Sequence, residues 1–220
     1  MGSGISGQGA AVLSDYLGAN VLLSDIKKPK NIDSKISDNN IRTEFNGHTK
    51  IILQSDLIII SPGIYLESID LYGEINKREI PVISEIEFAS WFTKLNIVGI
   101  TGSNGKSTVV NIIYNLLLTK FPDSMLGGNI GISFSSNVLY EIKNNLKNAI
   151  HVLEISSFQL EKIFLFKPFV ACILNITKDH MDRYRNKEKY FKIKLNIIKN
   201  KSLKSYLVFN QDDDSLNDYC

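Results

Sequence analysis

The segment that most constrains the fold runs from Thr101 to Thr108 and reads TGSNGKST. An apolar run precedes it and a helix-like run follows it, which is the setting of a phosphate-binding loop. Its glycines let backbone N–H groups turn toward phosphate oxygens, and the helix that begins there adds positive partial charge. Lys106 would neutralise the outer phosphates of ATP, and Ser107 would bind Mg²⁺. The loop is shorter than the standard form, because Ile100 stands where that form has its first glycine. The alternative interpretation is a glycine-rich turn that only caps a helix.

The rest of the chain alternates short apolar runs with helix-like runs, which predicts an α/β fold with parallel sheets and helices on their faces. We place a domain boundary near residues 93–95, with a Rossmann-like domain in residues 1–93 and a P-loop ATPase-like domain in residues 94–220. A polar loop is expected at residues 27–40. Strands are predicted at 20–24, 57–60, 81–84, 97–100, 150–153, 170–175 and 206–210, and helices at 10–18, 85–92 and 106–118.

Composition excludes several classes of protein. A net charge of +2 and 44% hydrophobic residues exclude a disordered chain and strong charge steering. Two cysteines are too few for a disulfide scaffold, which favours a reducing compartment. The apolar runs are too short to span a bilayer and the N-terminus has no export signal, so we expect a cytoplasmic monomer with no membrane partner. The lysine-rich stretch 178–204 has no aromatic recognition module, so we expect no nucleic-acid partner.

A second glycine-rich segment, Gly2–Gly7, matches the pattern G-x-G-x-x-G and precedes a helix. Asp25 ends the next strand, where dinucleotide-binding folds place an acid that binds ribose. The strand that should precede the segment is missing, because the chain begins at Met1. Either the segment is no such loop, or the N-terminus has been cut. The turn Ser61-Pro62-Gly63 offers another backbone site that could approach phosphates.

Carboxylates at the ends of strands are candidates for binding Mg²⁺. Glu154 ends a predicted strand, and its alternative role is to cap the helix that follows. Asp179 and His180 follow another strand, although a lone histidine in such a place is usually structural. For His48 and His151 we expect structural roles.

Six separated motifs occur in the order found in the Mur ligases and resemble them: residues 2–7, 61–64, 101–108, 127–131, 153–161 and 175–184. The sequences SSFQLE and DHMDRY resemble the members that join D-glutamate to UDP-N-acetylmuramoyl-L-alanine. The resemblance implies a ligase of peptidoglycan precursor synthesis that uses ATP and two Mg²⁺ ions. ATP would phosphorylate the alanine carboxylate with release of ADP, and the amine of D-glutamate would attack the acyl phosphate with release of phosphate.

The resemblance also implies a role for each matching residue. The ATP loop would comprise Gly102, Ser103, Asn104, Gly105, Lys106, Ser107 and Thr108. The catalytic residues would be Lys106, Glu154, His180 and Lys194. The metal ligands would be Ser107, Glu154, His180 and Lys194, the last as a carbamylated lysine, with Lys192 as the second choice. The muramoyl substrate and its uridine nucleotide would contact Ile5, Ser6, Asp25, Ser61, Pro62, Gly63, Asn129, Gln159 and His180.

The Mur ligases are longer enzymes of three domains, so the resemblance implies that the first strand, the later part of the central domain and the C-terminal domain are absent here. We therefore predict that the chain alone has no ligase activity. Two alternatives stay open. One is another ATP-dependent amide ligase, such as a different Mur ligase or a folylpolyglutamate synthase. The other is a module that binds a nucleotide or UDP-sugar without catalysis.

Overall fold

The N-terminal part of the chain forms two small parallel sheets with helices around them. The computed structural model describes residues 1–38, 41–177, 181–184 and 186–217. The strands of this part are β1 (Leu22–Asp25), β2 (Arg42–Phe45), β3 (Ile58–Ile60) and β4 (Val82–Ser84). Its helices are α1 (Ile5–Tyr16), α2 (Ser34–Asp38), α3 (Tyr72–Lys77) and α4 (Glu85–Ser90), with 3₁₀ turns at Lys50–Gln54 and Leu66–Ser68.

The first two residues join these two sheets. Strand β1 pairs with β2, and β3 pairs with β4, both in parallel. Between them, the amino group of Met1 donates to the carbonyl oxygen of Ile59 at 2.6 Å, and the Gly2 N–H donates to that of Ser24 at 2.8 Å. A cavity of about 920 Å³ separates the two sheets beyond this point.

The remaining strands form one five-stranded parallel sheet in the order β6-β7-β5-β8-β9. These are β5 (Asn96–Thr101), β6 (Met125–Gly128), β7 (Ile150–Glu154), β8 (Val170–Ile173) and β9 (Tyr206–Phe209). The helices are α5 (Lys106–Leu118), α6 (Phe134–Asn144), α7 (Ser157–Leu160), α8 (Met181–Tyr184), α9 (Lys187–Leu195) and α10 (Asp214–Asn217), with a 3₁₀ turn at Asn196–Ile198. Because β5 is central, the segment that follows it lies at the middle of the sheet edge.

Apolar side chains cover both faces of the five-stranded sheet. On one face Val110 of α5 packs with Ile100 and Val152. The core on the other face includes Leu153 and also extends to Leu13 of α1 in the N-terminal part. The helices of the N-terminal part therefore share a hydrophobic core with the second sheet.

The predicted α/β fold with parallel sheets is confirmed, although several predicted bounds were wrong. Helix α1 begins at Ile5 rather than at residue 10, and β8 ends at Ile173 rather than at residue 175. The loop expected at residues 27–40 contains α2, because Ile36 is buried among core residues including Leu13. Strands β2 and β6 were not predicted. The domain boundary near residues 93–95 stays a prediction. No helix in the described ranges is long and apolar enough to cross a membrane.

A buried carboxylate ties α4 to a loop that belongs to the second sheet. Glu87 has no exposed surface, and its oxygens accept hydrogen bonds from the backbone N–H groups of Phe164, Leu165 and Phe166 at 2.8–2.9 Å. The indole N–H of Trp91 donates to the same carboxylate at 2.7 Å. Four donors offset the cost of burying the charge, so this contact fixes the loop against the helix.

A second acid of α4 is buried with fewer partners. The Oε1 atom of Glu85 accepts a hydrogen bond from the Ser135 N–H at 2.5 Å, and the Oε2 atom has no partner among the described residues. Burial disfavours the charged form and raises the pKa of Glu85 from 4.5 to about 7, although the contact with Ser135 opposes the shift. Ionising Glu85 therefore destabilises the folded chain.

The substitution Glu85→Gln tests this effect through the pH dependence of unfolding. The folded chain keeps the Glu85 proton up to about pH 7, whereas the unfolded chain loses it near its ordinary pKa of 4.5. The stabilisation from Glu85 is thus complete below pH 4.5 and is lost as the pH rises through 7. Since glutamine never ionises, we expect the variant to be more stable than the wild type by about 2 kcal/mol at about pH 8, and no more stable at about pH 4.

Urea denaturation at several pH values measures the difference in the free energy of unfolding. The matched control is Glu67→Gln, because Glu67 is exposed. Its pH profile should follow the wild type. A constant difference between Glu85→Gln and wild type across this pH range would contradict the account.

Candidate active site

The loop between β5 and α5 lies at the carboxyl end of the central strand. Gly105 has a backbone φ of +79°, a conformation that residues with a Cβ rarely adopt. Gly105 is also the N-cap of α5, and because it has no side chain it does not bond to the first backbone N–H groups of that helix. These donors are therefore available to an anion, and the 13-residue helix adds its dipole.

Asn175 holds this loop in shape from the neighbouring strand. Its side-chain oxygen accepts hydrogen bonds from the N–H groups of Ser103 at 3.1 Å and Asn104 at 2.9 Å. Its amide nitrogen donates to the carbonyl oxygen of Asn104 at 3.1 Å. Ser103 is held further by Thr177, whose N–H donates to the serine hydroxyl at 3.0 Å. Sequence reasoning gave Asn175 no role, and its place directly after strand β8 is the signal that could have found it.

Two lysines converge beneath the loop. The ammonium group of Lys106 donates to the carbonyl oxygens of Gly102 and Ser103, both at 2.9 Å. The ammonium group of Lys194 donates to the same Gly102 oxygen at 2.8 Å. Lys194 is 1% exposed and lies 4.8 Å from the centre of the Tyr190 ring. Both side-chain amines therefore lie against the carbonyl oxygens of the loop.

Glu154 lies beside the hydroxyl group predicted to bind metal. One of its oxygens accepts a hydrogen bond from the Ser107 hydroxyl at 2.5 Å, and the other accepts one from the Asn129 side chain at 2.8 Å. Glu154 is 2% exposed. Gly128 permits this approach, since a Cβ there would lie 2.3 Å from the backbone oxygen of Glu154. Five side chains that were predicted as catalytic, metal-binding or substrate-binding therefore lie around one loop: Lys106, Ser107, Asn129, Glu154 and Lys194.

The oxygens of Ser107 and Glu154 suit Mg²⁺. This ion prefers hard oxygen ligands and is usually held by one or two protein side chains together with substrate phosphates and water. Within the described ranges, no group of three or more His, Cys, Asp and Glu side chains could hold a metal ion. Ser107 and Glu154 would thus form part of a magnesium site, whose other ligands could be oxygens of a bound nucleotide and water.

Three further residues were predicted near the reacting groups: Asp179, His180 and Gln159. His180 and its neighbour Asp179 lie outside the described residues. Gln159 is fully buried, and its side-chain oxygen accepts from the Ser156 N–H in the cap of α7. Its amide nitrogen has no partner among the described residues. Gln159 therefore caps α7 through its oxygen and has an amide N–H group that could donate to a ligand.

The predicted uridine-binding residues form a second group at the carboxyl ends of β1 and β3. Asp25 accepts hydrogen bonds from the Ser3 N–H at 2.6 Å and from the Lys27 N–H at 2.9 Å. Burial alone would raise the pKa of Asp25, but these hydrogen bonds outweigh it and leave the pKa below its ordinary value. The Ser61 N–H donates to the Met1 oxygen, and Ile5 at the start of α1 is largely exposed. The remaining members, which are partly or fully exposed, are Ser6, Pro62 and Gly63.

One residue that sequence reasoning missed connects this second group to the rest of the chain. Arg183 donates from one guanidinium nitrogen to the Pro62 carbonyl oxygen at 3.4 Å and from another to the Glu161 carboxylate at 2.7 Å. The guanidinium carbon also lies 4.3 Å from the centre of the Phe158 ring. Arg183 thereby links the turn at 61–63 to the motif around α7.

The two histidines that were expected to have structural roles each lie within hydrogen-bonding distance of another side chain. The Nδ1 atom of His48 lies 2.7 Å from the hydroxyl of the buried Ser24. The fully buried His151 places its Nε2 atom 2.8 Å from a carboxylate oxygen of Glu141.

Residues 100–219 match the family model described as the Mur ligase middle domain. A protein of Christiangramia forsetii named UDP-N-acetylmuramoylalanine--D-glutamate ligase is 40% identical over 100% of this chain and 48% of its own length. A protein of the same name from Chloroherpeton thalassium is 37% identical over 97% of this chain and 46% of its own length. The chain spans about half the length of the curated relatives it matches.

A solved structure shares the fold. The UDP-N-acetylmuramate:L-alanyl-gamma-D-glutamyl-meso-diaminopimelate ligase from Neisseria meningitides aligns with a TM-score of 0.64 at 17% identity. The alignment covers 96% of this chain and 69% of that one.

The substitution Asn175→Ala tests whether this side chain shapes the loop for phosphate binding. Losing its hydrogen bonds to Ser103 and Asn104 should let the loop relax, and we expect the affinity for MgATP to fall about tenfold. Isothermal titration calorimetry measures the affinity. Asn115→Ala is the control, because Asn115 is exposed on α5 and its side chain donates to the Asn111 carbonyl oxygen of the same helix. Equal affinities in a folded Asn175→Ala variant and in the control would show that the loop keeps its shape without this residue.

Proposed function

The chain belongs to the Mur ligase family, and from this membership and the loop geometry we propose that it is part of an ATP-dependent ligase that joins D-glutamate to UDP-N-acetylmuramoyl-L-alanine. The observation that carries the proposal is the grouping of Lys106, Ser107 and Glu154 at the carboxyl end of one parallel sheet. Two relatives that bear this enzyme's name are similar along nearly the whole chain, which supports the choice of substrates. We keep the cytoplasm as the expected compartment, since ATP is a substrate.

In this proposal the chain's own groups counter the repulsion between a carboxylate and a polyphosphate. MgATP, when bound, supplies the phosphoryl group that activates the substrate carboxylate as an acyl phosphate. The N–H groups at the start of α5 would bind phosphate oxygens, and Lys106 would exchange its carbonyl partners for them. Ser107 and Glu154 would hold Mg²⁺ through oxygen atoms. Positive charge fixed at this point would stabilise the charge that develops during phosphoryl transfer.

We propose that the second group of residues binds the uridine nucleotide of the muramoyl substrate. Asp25 lies at the end of β1, where its carboxylate can accept a hydrogen bond from a ribose or base. The turn at Ser61, Pro62 and Gly63 lies at the end of β3. Asn129 and Gln159 would face the muramoyl part, and Asn129 already contacts Glu154.

Binding of the two substrates can be measured separately on this chain. At about 100 times its dissociation constant, MgATP should raise the melting temperature by about 6 °C, since binding stabilises only the folded state. Lys106→Ala should abolish most of this shift and preserve the shift caused by UDP-N-acetylmuramoyl-L-alanine. Lys120→Ala is the control because Lys120 is an exposed lysine beyond the end of α5.

The alternatives predict other outcomes. Stabilisation by a folate but not by the UDP-muramoyl substrate would favour a folylpolyglutamate synthase-like ligase. We expect no ligase turnover by the chain alone with both substrates and Mg²⁺ present, because it spans about half of its relatives. Turnover would contradict that expectation.

We propose Lys194, rather than Lys192, as the position for a carbamyl group. Lys192 is largely exposed and pairs with Glu188 at 2.7 Å, whereas Lys194 lies under the phosphate loop. The Lys194 ammonium group would first lose a proton to solvent. The neutral amine would then add CO₂ through a new N–C bond and release a second proton, which gives an anionic carbamate that could bind a second Mg²⁺ ion. In its uncarbamylated form this amine stabilises the Gly102 carbonyl instead.

NMR of the protein in ¹³C-labelled bicarbonate tests the assignment. We expect a carbamate carbon signal in the wild type and in Lys192→Gln, and no signal in Lys194→Gln. A signal that disappears only in Lys192→Gln would reverse the assignment.

A further inference from the structure

Exposed apolar and aromatic side chains from three segments gather at the end of the five-stranded sheet opposite to the phosphate loop. We call this surface the aromatic–lysine patch. It comprises Trp91, Phe164, Leu165, Phe169, Leu203 and Tyr206, together with Lys167, Lys199, Lys201 and Lys204. Trp91 is 42% exposed, Leu165 is 69% exposed and Leu203 is fully exposed. Large apolar side chains that gather on a surface mark contact sites with other molecules.

Contacts between these segments hold them side by side, so that their exposed side chains form one area. The indole N–H of Trp91 and the backbone N–H of Leu165 donate to the same oxygen of Glu87. The side chain of Asn200 donates to the Phe164 carbonyl oxygen at 2.7 Å, which joins the loop at 199–205 to the loop at 162–169. The rings of Phe169 and Tyr206 lie 5.3 Å apart.

The charge of the patch has one sign. Lys167, Lys199, Lys201 and Lys204 are all exposed, and residues 162–169 and 199–209 contain no Asp or Glu. Lys167 and Lys204 line one cavity of about 250 Å³ with Leu165 and Phe169, so basic and apolar groups are interleaved. The ammonium group of Lys199 lies 5.8 Å from the centre of the Phe164 ring.

We propose that the aromatic–lysine patch binds the surface of an anionic lipid bilayer. Such a surface offers an apolar layer beneath negatively charged headgroups, and it attracts exposed lysines that surround apolar side chains. Tryptophan and tyrosine are the residues that favour the interface between the two layers. The fully exposed Leu203 can enter the apolar layer without unfolding any part of the chain.

The bilayer fits better than a second copy of the chain. Two facing patches would bring together two sets of four lysines with no carboxylate from either patch, which like-charge repulsion disfavours. The patch lies at the amino ends of β8 and β9, with Tyr206 as the first residue of β9, whereas the phosphate loop follows the carboxyl end of β5 in the same parallel sheet. Attachment through the patch would therefore leave the phosphate loop facing away from the lipid.

This proposal revises the expectation of no membrane partner, which rested on the lack of a spanning segment. The linear sequence shows only the lysines of the patch, since Lys199, Lys201 and Lys204 belong to the lysine-rich stretch 178–204, and it does not show the apolar groups that gather around them. Trp91 lies more than seventy residues before Phe164 along the chain, and only the fold brings the two together through Glu87.

Trp91 is the only tryptophan of the chain and reports directly on the patch. The probe is a vesicle of phosphatidylcholine with about one third phosphatidylglycerol, compared with a vesicle of phosphatidylcholine alone. We expect tryptophan emission to shift to shorter wavelength and co-sedimentation to be at least about tenfold stronger with the anionic vesicle. Raising NaCl from about 0.05 M to about 1 M should remove most of the binding, since salt screens exposed charges.

Variants separate the patch from general adhesion. The double substitution Leu165→Glu with Leu203→Glu should reduce vesicle binding about tenfold or more and leave the far-UV circular dichroism unchanged, because both side chains are exposed. Leu116→Glu is the matched control. Leu116 is 66% exposed, and it lies on α5, a helix that packs on one face of the sheet and contributes no residue to the patch. This variant should bind like the wild type.

Three results would overturn the proposal. One is a folded wild type that does not bind the anionic vesicle. Another is equal loss of binding in Leu116→Glu and in the double variant. The third is a dimer in analytical ultracentrifugation that the double substitution dissociates, since the patch would then be an interface between copies.

Discussion

The candidate site depends on the tie between the phosphate loop and the strand beside it. Asn175 uses its side-chain oxygen and nitrogen to hold Ser103 and Asn104, so the loop keeps its open turn even with both lysines drawn to its carbonyl oxygens. The tie exists because β8 pairs in parallel with β5, with Ile173 opposite Thr101. Parallel pairing of β5 with β7 places Glu154 opposite Ile100 on the other side. The register of three neighbouring strands thus brings the loop, its support and the acid together.

The parts of the site that could be predicted from the sequence are those whose chemistry is local. The run Thr101–Thr108 contains its own glycines, lysine and hydroxyl groups, and Glu154 ends a strand that its apolar residues identify. The supports were missed because they depend on pairing between distant segments. Asn175 looks like any polar residue after a strand. Glu87 looks like a helix-surface acid, although it is buried against a loop more than seventy residues away.

The fold shows the same division. The apolar runs of β3 and β5 were visible in the sequence, whereas β2 has two exposed residues and β6 contains two glycines, so neither has a strong apolar pattern. Helix α2 has one buried apolar residue, Ile36, which is too weak a signal for a helix. The polar contacts between the sheets follow from tertiary packing. Arg183 contacts the turn at 61–63 and Glu87 ties helix α4 to the loop around Phe164, and both contacts hold the N-terminal part near the second sheet.

The most direct measurement is a crystal structure of this chain with Mg²⁺ and a non-hydrolysable ATP analogue. We expect phosphate oxygens to accept hydrogen bonds from the N–H groups at the start of α5, and Lys106 to leave the Gly102 carbonyl oxygen to contact them. Mg²⁺ should lie within coordination distance of the Ser107 hydroxyl and near the Glu154 carboxylate. A nucleotide bound elsewhere, with the loop unchanged and Lys106 still on its carbonyl partners, would contradict the account.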